Sequence, residues 1–139
     1  MVAVRIIVWI ARVAGLGALT LGLLFWIAQI DFISVHMLFG LTLALSLLVL
    51  SLIMIFTRGM RLLGFVGIVY AFTFILPVFG LTQATLLVGS MHWLIQTAHL
   101  LVGLGALTLV QLMNVRYIRL KRTSATAAEP QETVPQAVR

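Results

Sequence analysis

Four stretches of this chain, residues 13–28, 32–56, 62–79 and 91–114, contain no charged side chain. About 20 consecutive apolar residues are enough to cross the hydrocarbon of a bilayer as a helix. Inside hydrocarbon, each backbone N–H and C=O must find its partner within the protein, and a helix satisfies that requirement locally. The expected fold is an all-α membrane protein, a four-transmembrane-helix up-and-down bundle. Its spans are placed at about 5–29, 32–56, 62–79 and 91–114. A soluble domain of 139 residues that is 63% hydrophobic and 9% charged could not cover its own apolar surface. The chain reads as one transmembrane domain over residues 1–122, followed by a tail over 123–139 that is small, polar and proline-bearing, hence expected to be disordered.

The first apolar run is too long for the core of a signal peptide, and no small-residue cleavage site follows it. It is therefore read as a span. Arg12 lies inside its start, seven residues after Arg5, and is expected to snorkel back to the headgroups. Gly15 and Gly22, also seven apart, offer a smooth face for close helix contact. Asp31 marks a tight turn, and Thr57–Arg61 closes the second span. Pro77 predicts a kink or early stop in the third. Residues 80–90 form the longest connection, expected as an interfacial loop or a short surface helix.

The Lys and Arg residues fall on one side. Arg5, Arg12, Arg58, Arg61, Arg116, Arg119, Lys121 and Arg122 flank one set of span ends, and the connections around Asp31 and through 80–90 have none. The positive-inside rule then places both termini in the cytoplasm, with Trp26, Trp93 and His92 at the outer interface of a bacterial inner (plasma) membrane. The net charge of +6 is explained by this topology and by lipid headgroups, not by nucleic acid, for which no basic and aromatic interleaving is present. The lipid bilayer is the one partner that follows directly, and assembly as a homo- or hetero-oligomer is left open.

Several chemistries drop out. With no cysteine there is no disulfide, Fe–S cluster, thiolate zinc site or covalent haem attachment. No span contains Asp, Glu or Lys, the groups that proton-coupled transporters and intramembrane hydrolases use at depth. Ser46 and Ser51 have no histidine at triad-like spacing, and hydroxyls in such helices usually bond their own backbone. Catalysis by the protein's own side chains is not expected.

What remains is histidine. The segment HLLVGL from His99 repeats HMLFGL from His36, with His, Leu, Gly and Leu in the same places. A polar ring in hydrocarbon needs a partner, because burying it unpaired costs several kcal/mol, about 2–7 by most measures. At 100° per residue, Phe32, His36, Gly40, Leu43, Leu47 and Met54 form one stripe. His92, Gln96, His99, Gly103, Ala106 and Val110 form another. Each stripe carries a histidine near the outer leaflet with a glycine one turn below. Helices two and four are diagonal in an up-and-down bundle, a natural pair to straddle a flat cofactor.

Depth arithmetic favours a different pairing. His36 is 22 residues from Arg58, His99 is 17 from Arg116, and His92 is 24 from Arg116. At 1.5 Å per residue, His36 and His99 differ by roughly 7–8 Å, and His36 and His92 by about 3 Å. His99 is nevertheless preferred, because His92 sits among Ser90, Met91 and Trp93 and looks interfacial. His92 stays in reserve as an alternative ligand or a contact for a propionate.

Paired histidines on the second and fourth helices of such a bundle resemble the b-type membrane cytochromes, both the cytochrome b561-like and cytochrome b cores, and the half-bundle of heme A synthase. The resemblance covers the four-span topology and the units His36-x3-Gly40 and His99-x3-Gly103. It implies one haem b with His36 and His99 on the iron and Gly40 and Gly103 clearing the ring. Phe32, Phe39 and Leu43 would wall it. It also implies electron transfer with a quinol or another membrane electron carrier as partner. The alternative is a cofactor-free membrane subunit or assembly factor. In that reading the histidines bond a backbone carbonyl or a hydroxyl such as Ser34, Thr42 or Thr97, and the glycines pack helices. A bare metal site would lack the carboxylate or thiolate to complete its shell.

Overall fold

The computed structural model describes residues 2–72 and 89–127. Within them the chain is helical and has no strand. The helices are α1 (Val2–Ala28), α2 (Ile33–Ile55), α3 (Arg61–Tyr70) and α4 (His92–Ala127). Three of them, α1, α2 and α4, are long and apolar enough to cross a membrane. α3 continues through residues 71–72 as a wider helical turn. The rest of the expected third span, Pro77 and residues 80–88 of the connection lie outside the described residues, as does the tail from residue 128.

The turn at Asp31 is as tight as expected. Gln29 takes a positive φ of 55° after the last turn of α1, and its side-chain amide donates to the carbonyls of Phe25 and Trp26. The Trp26 carbonyl is one that a helix end otherwise leaves unsatisfied, whereas that of Phe25 also accepts from the Gln29 backbone N–H. Asp31 Oδ1 then accepts from the backbone N–H of Ile33 at 3.1 Å and starts α2. Between α2 and α3, Gly59 holds a φ of 83°, a conformation that side chains other than glycine's resist, and Met60 N–H closes the turn on Thr57.

α4 runs 13 residues past Asn114, into the segment read from sequence as tail. Lys and Arg are good helix formers, so a basic stop ends a span without ending a helix. The hydroxyls of Thr123, Ser124 and Thr126 bond back to the carbonyls four residues earlier and do not cap the end. At 36 residues the helix is about 54 Å long, well beyond hydrocarbon thickness.

α2 is central. It packs along α1 and α3 and also touches α4, which in turn rests on α1. The closest approach is between α2 and α3. A Cβ added to Gly64 would stand 2.7 Å from the Ser51 carbonyl oxygen and from the Ile55 nitrogen, both backbone atoms. At Gly67 it would overlap the Ser51 hydroxyl and the Met113 methyl. Gly15 receives the Leu107 side chain in the same way, joining α1 to α4.

The core lies toward one end of the bundle. Its buried side chains are Val4 to Ala14 on α1, Leu43 to Met54 on α2, Met60, Ala71, and Ala106 to Met113 on α4. These are the halves nearest the basic residues. In the other half, residues 23–35 are all exposed, and none of residues 92–105 is fully buried.

Candidate functional site

The histidines sit where the core stops. His36 and His99 are both partly buried, and their rings face each other across α2 and α4, with centroids 5.9 Å apart and planes inclined at 49°. The inward stripes expected from periodicity account for this: Leu43, Leu47 and Met54 below His36, and Ala106 and Val110 below His99, are buried in the core.

The His36 ring also touches α1. Its Nδ1 lies 2.9 Å from the Ala18 carbonyl oxygen. A carbonyl only accepts, so Nδ1 carries the proton and donates, which leaves the lone pair of the neutral ring on Nε2. Gly22 makes the approach feasible, since a Cβ there would stand 3.2 Å from the ring carbon Cε1. Three helices therefore meet at one imidazole. A metal-ligating histidine commonly donates its other N–H to a carbonyl in this way, which fixes ring and tautomer.

The glycines of the two repeated units behave unlike the rest. A Cβ on Gly40 or Gly103 would meet nothing within 4 Å among the described residues. Gly15, Gly64 and Gly67 are closely filled by neighbours, and Gly105 is filled by Tyr70, whose hydroxyl donates to the Val102 carbonyl at 2.8 Å. Among the described residues, close helix contacts are made at those other glycines and none is made at Gly40 or Gly103.

The depth arithmetic changes once the helices are seen. Arg58 and Arg116 do not mark the same level, because α4 runs straight through Arg116. The α2–α3 turn lies against the next turn of α4, where Leu120 is the side chain that a Cβ on Gly59 would meet, at 4.0 Å. Counted from those two residues, His36 and His99 differ in depth by about 3 Å. His92 opens α4 two turns earlier, its N–H bonded to the Gly89 carbonyl.

Of the other expected wall residues, Phe39 lies against Gly17 and Leu43 joins the core, but Phe32 is 46% exposed and does not enclose the site. The Thr42 and Thr97 hydroxyls donate to the carbonyls of Leu38 and Trp93, so neither donates to a histidine. Among the described residues no three His, Asp or Glu side chains converge as a bare metal site would require.

Comparison with protein-family models, curated proteins and solved structures finds no match.

One polar contact has no counterpart in the sequence reading. Arg12 does not simply snorkel: its guanidinium donates to Gln111 Oε1 at 2.7 Å and lies 5.2 Å from the centre of the Trp9 ring. Gln111 is one of few amides within the apolar runs, a signal that a search for a depth-matched partner of Arg12 would have found.

Proposed function

We propose that this chain is an integral membrane b-type cytochrome-like protein that binds one haem b through His36 and His99 and carries electrons near the outer leaflet. The observation that carries this reading is the ring pair at 5.9 Å. An imidazole nitrogen stands about 2 Å from a metal it binds, so two rings this close would be able to share one. Three further features fit the group: the Nδ1–H of His36 is already committed to a carbonyl, no described residue stands within 4 Å of where a Cβ on Gly40 or Gly103 would be, and none of the described residues 23–35 or 92–105 is fully buried.

When bound, the haem supplies one-electron chemistry that no side chain here provides. The chain's part is to hold the two rings and to fix the tautomer of His36 through Ala18. A quinol or another membrane electron carrier is the partner this reading requires.

The second reading, a cofactor-free subunit, is favoured by the same hydrogen bond, because donation to a backbone carbonyl satisfies His36 without any ligand. An optical spectrum separates the two. The purified protein, expressed with ample haem supply, is expected to show a Soret band and, after dithionite, a sharp α band. Fully folded protein without a Soret band sinks the haem reading.

The glycines give a test that does not depend on the ligands. Gly40→Leu and Gly103→Leu are expected to lower haem occupancy and leave the haem-free protein about as stable as its parent, since no described residue stands where the added Cβ would go. Equal destabilisation of haem-free and loaded protein would show that both positions pack against something.

The same proposal includes four membrane crossings, with both termini cytoplasmic, in a plasma membrane. Reporter fusions at residue 59 and at the C-terminus should read cytoplasmic, and one at residue 30 external. An external C-terminus reverses the orientation.

A further inference from the structure

At the basic end of the bundle, a cleft of about 290 Å³ separates the α2–α3 turn from α4. Gly59 and Met60 line one side, and Arg116, Arg119, Leu120 and Thr123 line the other. The four α4 residues, at spacings of three and four, share one face of the helix. Met60 is buried and Leu120 is partly exposed, which gives an apolar floor beneath a cationic rim. Arg58 and Arg61 flank the turn in the chain. The one acidic residue among the described residues is Asp31, at the far end of the α1–α2 hairpin, so no described carboxylate lies beside these arginines. α3 starts beside the cleft with no side-chain cap and no acid in its first turn, so its dipole adds to the positive field.

We propose that this cleft binds the phosphodiester headgroup of an anionic phospholipid, with Arg116 and Arg119 holding the phosphate. A single guanidinium pairs well with phosphate oxygens, and two on one helix face can hold a headgroup from two directions. Leu112, one turn before Arg116 on the same face, and Phe56, just before the turn, are exposed and apolar, so an acyl chain has a surface to follow. A soluble phosphate would use the arginines and gain nothing from that surface, and this favours the lipid.

The test uses the full chain in mild detergent, with bound molecules counted by native mass spectrometry. Short-chain phosphatidylglycerol, phosphatidylcholine and glycerol 3-phosphate are titrated separately. One phosphatidylglycerol is expected to be retained in preference to phosphatidylcholine. Arg116→Gln and Arg119→Gln should each lower that retention about fivefold, the weight of one cation near a membrane surface. Lys121→Gln, on the opposite face of α4, should leave it unchanged, and the double change of Arg116 and Arg119 to lysine should keep most of it. Equal retention of the two lipids, or equal loss with the Lys121 variant, overturns the cleft as the site. Saturation by glycerol 3-phosphate at the same concentrations overturns the lipid as its occupant.

Discussion

His36→Ala and His99→Ala are each expected to abolish the Soret and reduced α bands, whereas His92→Ala keeps most of both. The magnitude follows from the coordination argument. Loss of an outer partner of a ligating histidine typically costs about 10–100-fold in affinity, and loss of the ligand itself costs more. Each variant should therefore purify with at least about 100-fold weaker haem binding. Both rings are only partly buried, so truncation leaves the helices in place, and circular dichroism should show unchanged helix content. Loss of the bands in His92→Ala but not in His99→Ala would keep the haem and move the ligand. Retention of the bands in all three variants would remove histidine ligation altogether.

The largest effect on folding is expected at Gly64. Overpacking usually costs about 1–3 kcal/mol, because neighbouring side chains can shift. At Gly64 the obstacle is the backbone of α2 itself, at 2.7 Å, and a helix backbone cannot rotate away. Gly64→Leu should therefore fall at or above the top of that range, and even Gly64→Ala should destabilise. At Gly67 the obstacles are the Ser51 hydroxyl, which is buried and bonded to the Leu47 carbonyl, and the end of the more pliant Met113. Gly67→Leu should cost less than Gly64→Leu. By contrast, Gly40→Ala and Gly103→Ala should be neutral or better, since a helical glycine is worth about 0.5–1 kcal/mol less than alanine where space permits. Thermal or SDS unfolding of haem-free protein measures the series. A Gly64→Leu variant as stable as its parent would refute the close approach of α2 and α3.

The facing of His36 and His99 was legible in the sequence for a physical reason. Helical periodicity fixes which face a residue occupies, and a histidine in line with Leu43 and Leu47, or with Ala106 and Val110, must face inward. The turn at Gly59 was legible because few residues take its conformation, and the turn at Asp31 because a short carboxylate can hold a backbone N–H two residues on. Relative depth was not legible. Counting from Arg58 and Arg116 assumed that each marks the bilayer edge, and α4 passes that edge without breaking. Arg12 and Gln111 were missed for a related reason: their bond depends on the register between α1 and α4, which neither helix carries in its own pattern. The division of labour among glycines was equally hidden, since a glycine looks the same in sequence whether a neighbour fills its space or leaves it open.

The distribution of the core along the bundle has a mechanical consequence. Val8, Leu47, Leu50, Met54, Val110 and Met113 tie the helices together at the basic end, whereas at the other end the described residues 23–35 and 92–105 include none that is fully buried, and the Asp31 turn is what joins α1 to α2. Among the described residues, α4 is held to the α1–α2 hairpin mainly at that end, and the two imidazoles lie just beyond the last buried layer, Leu43 and Ala106. The part of α4 before His99 can thus bend with the least loss of buried contact among the described residues.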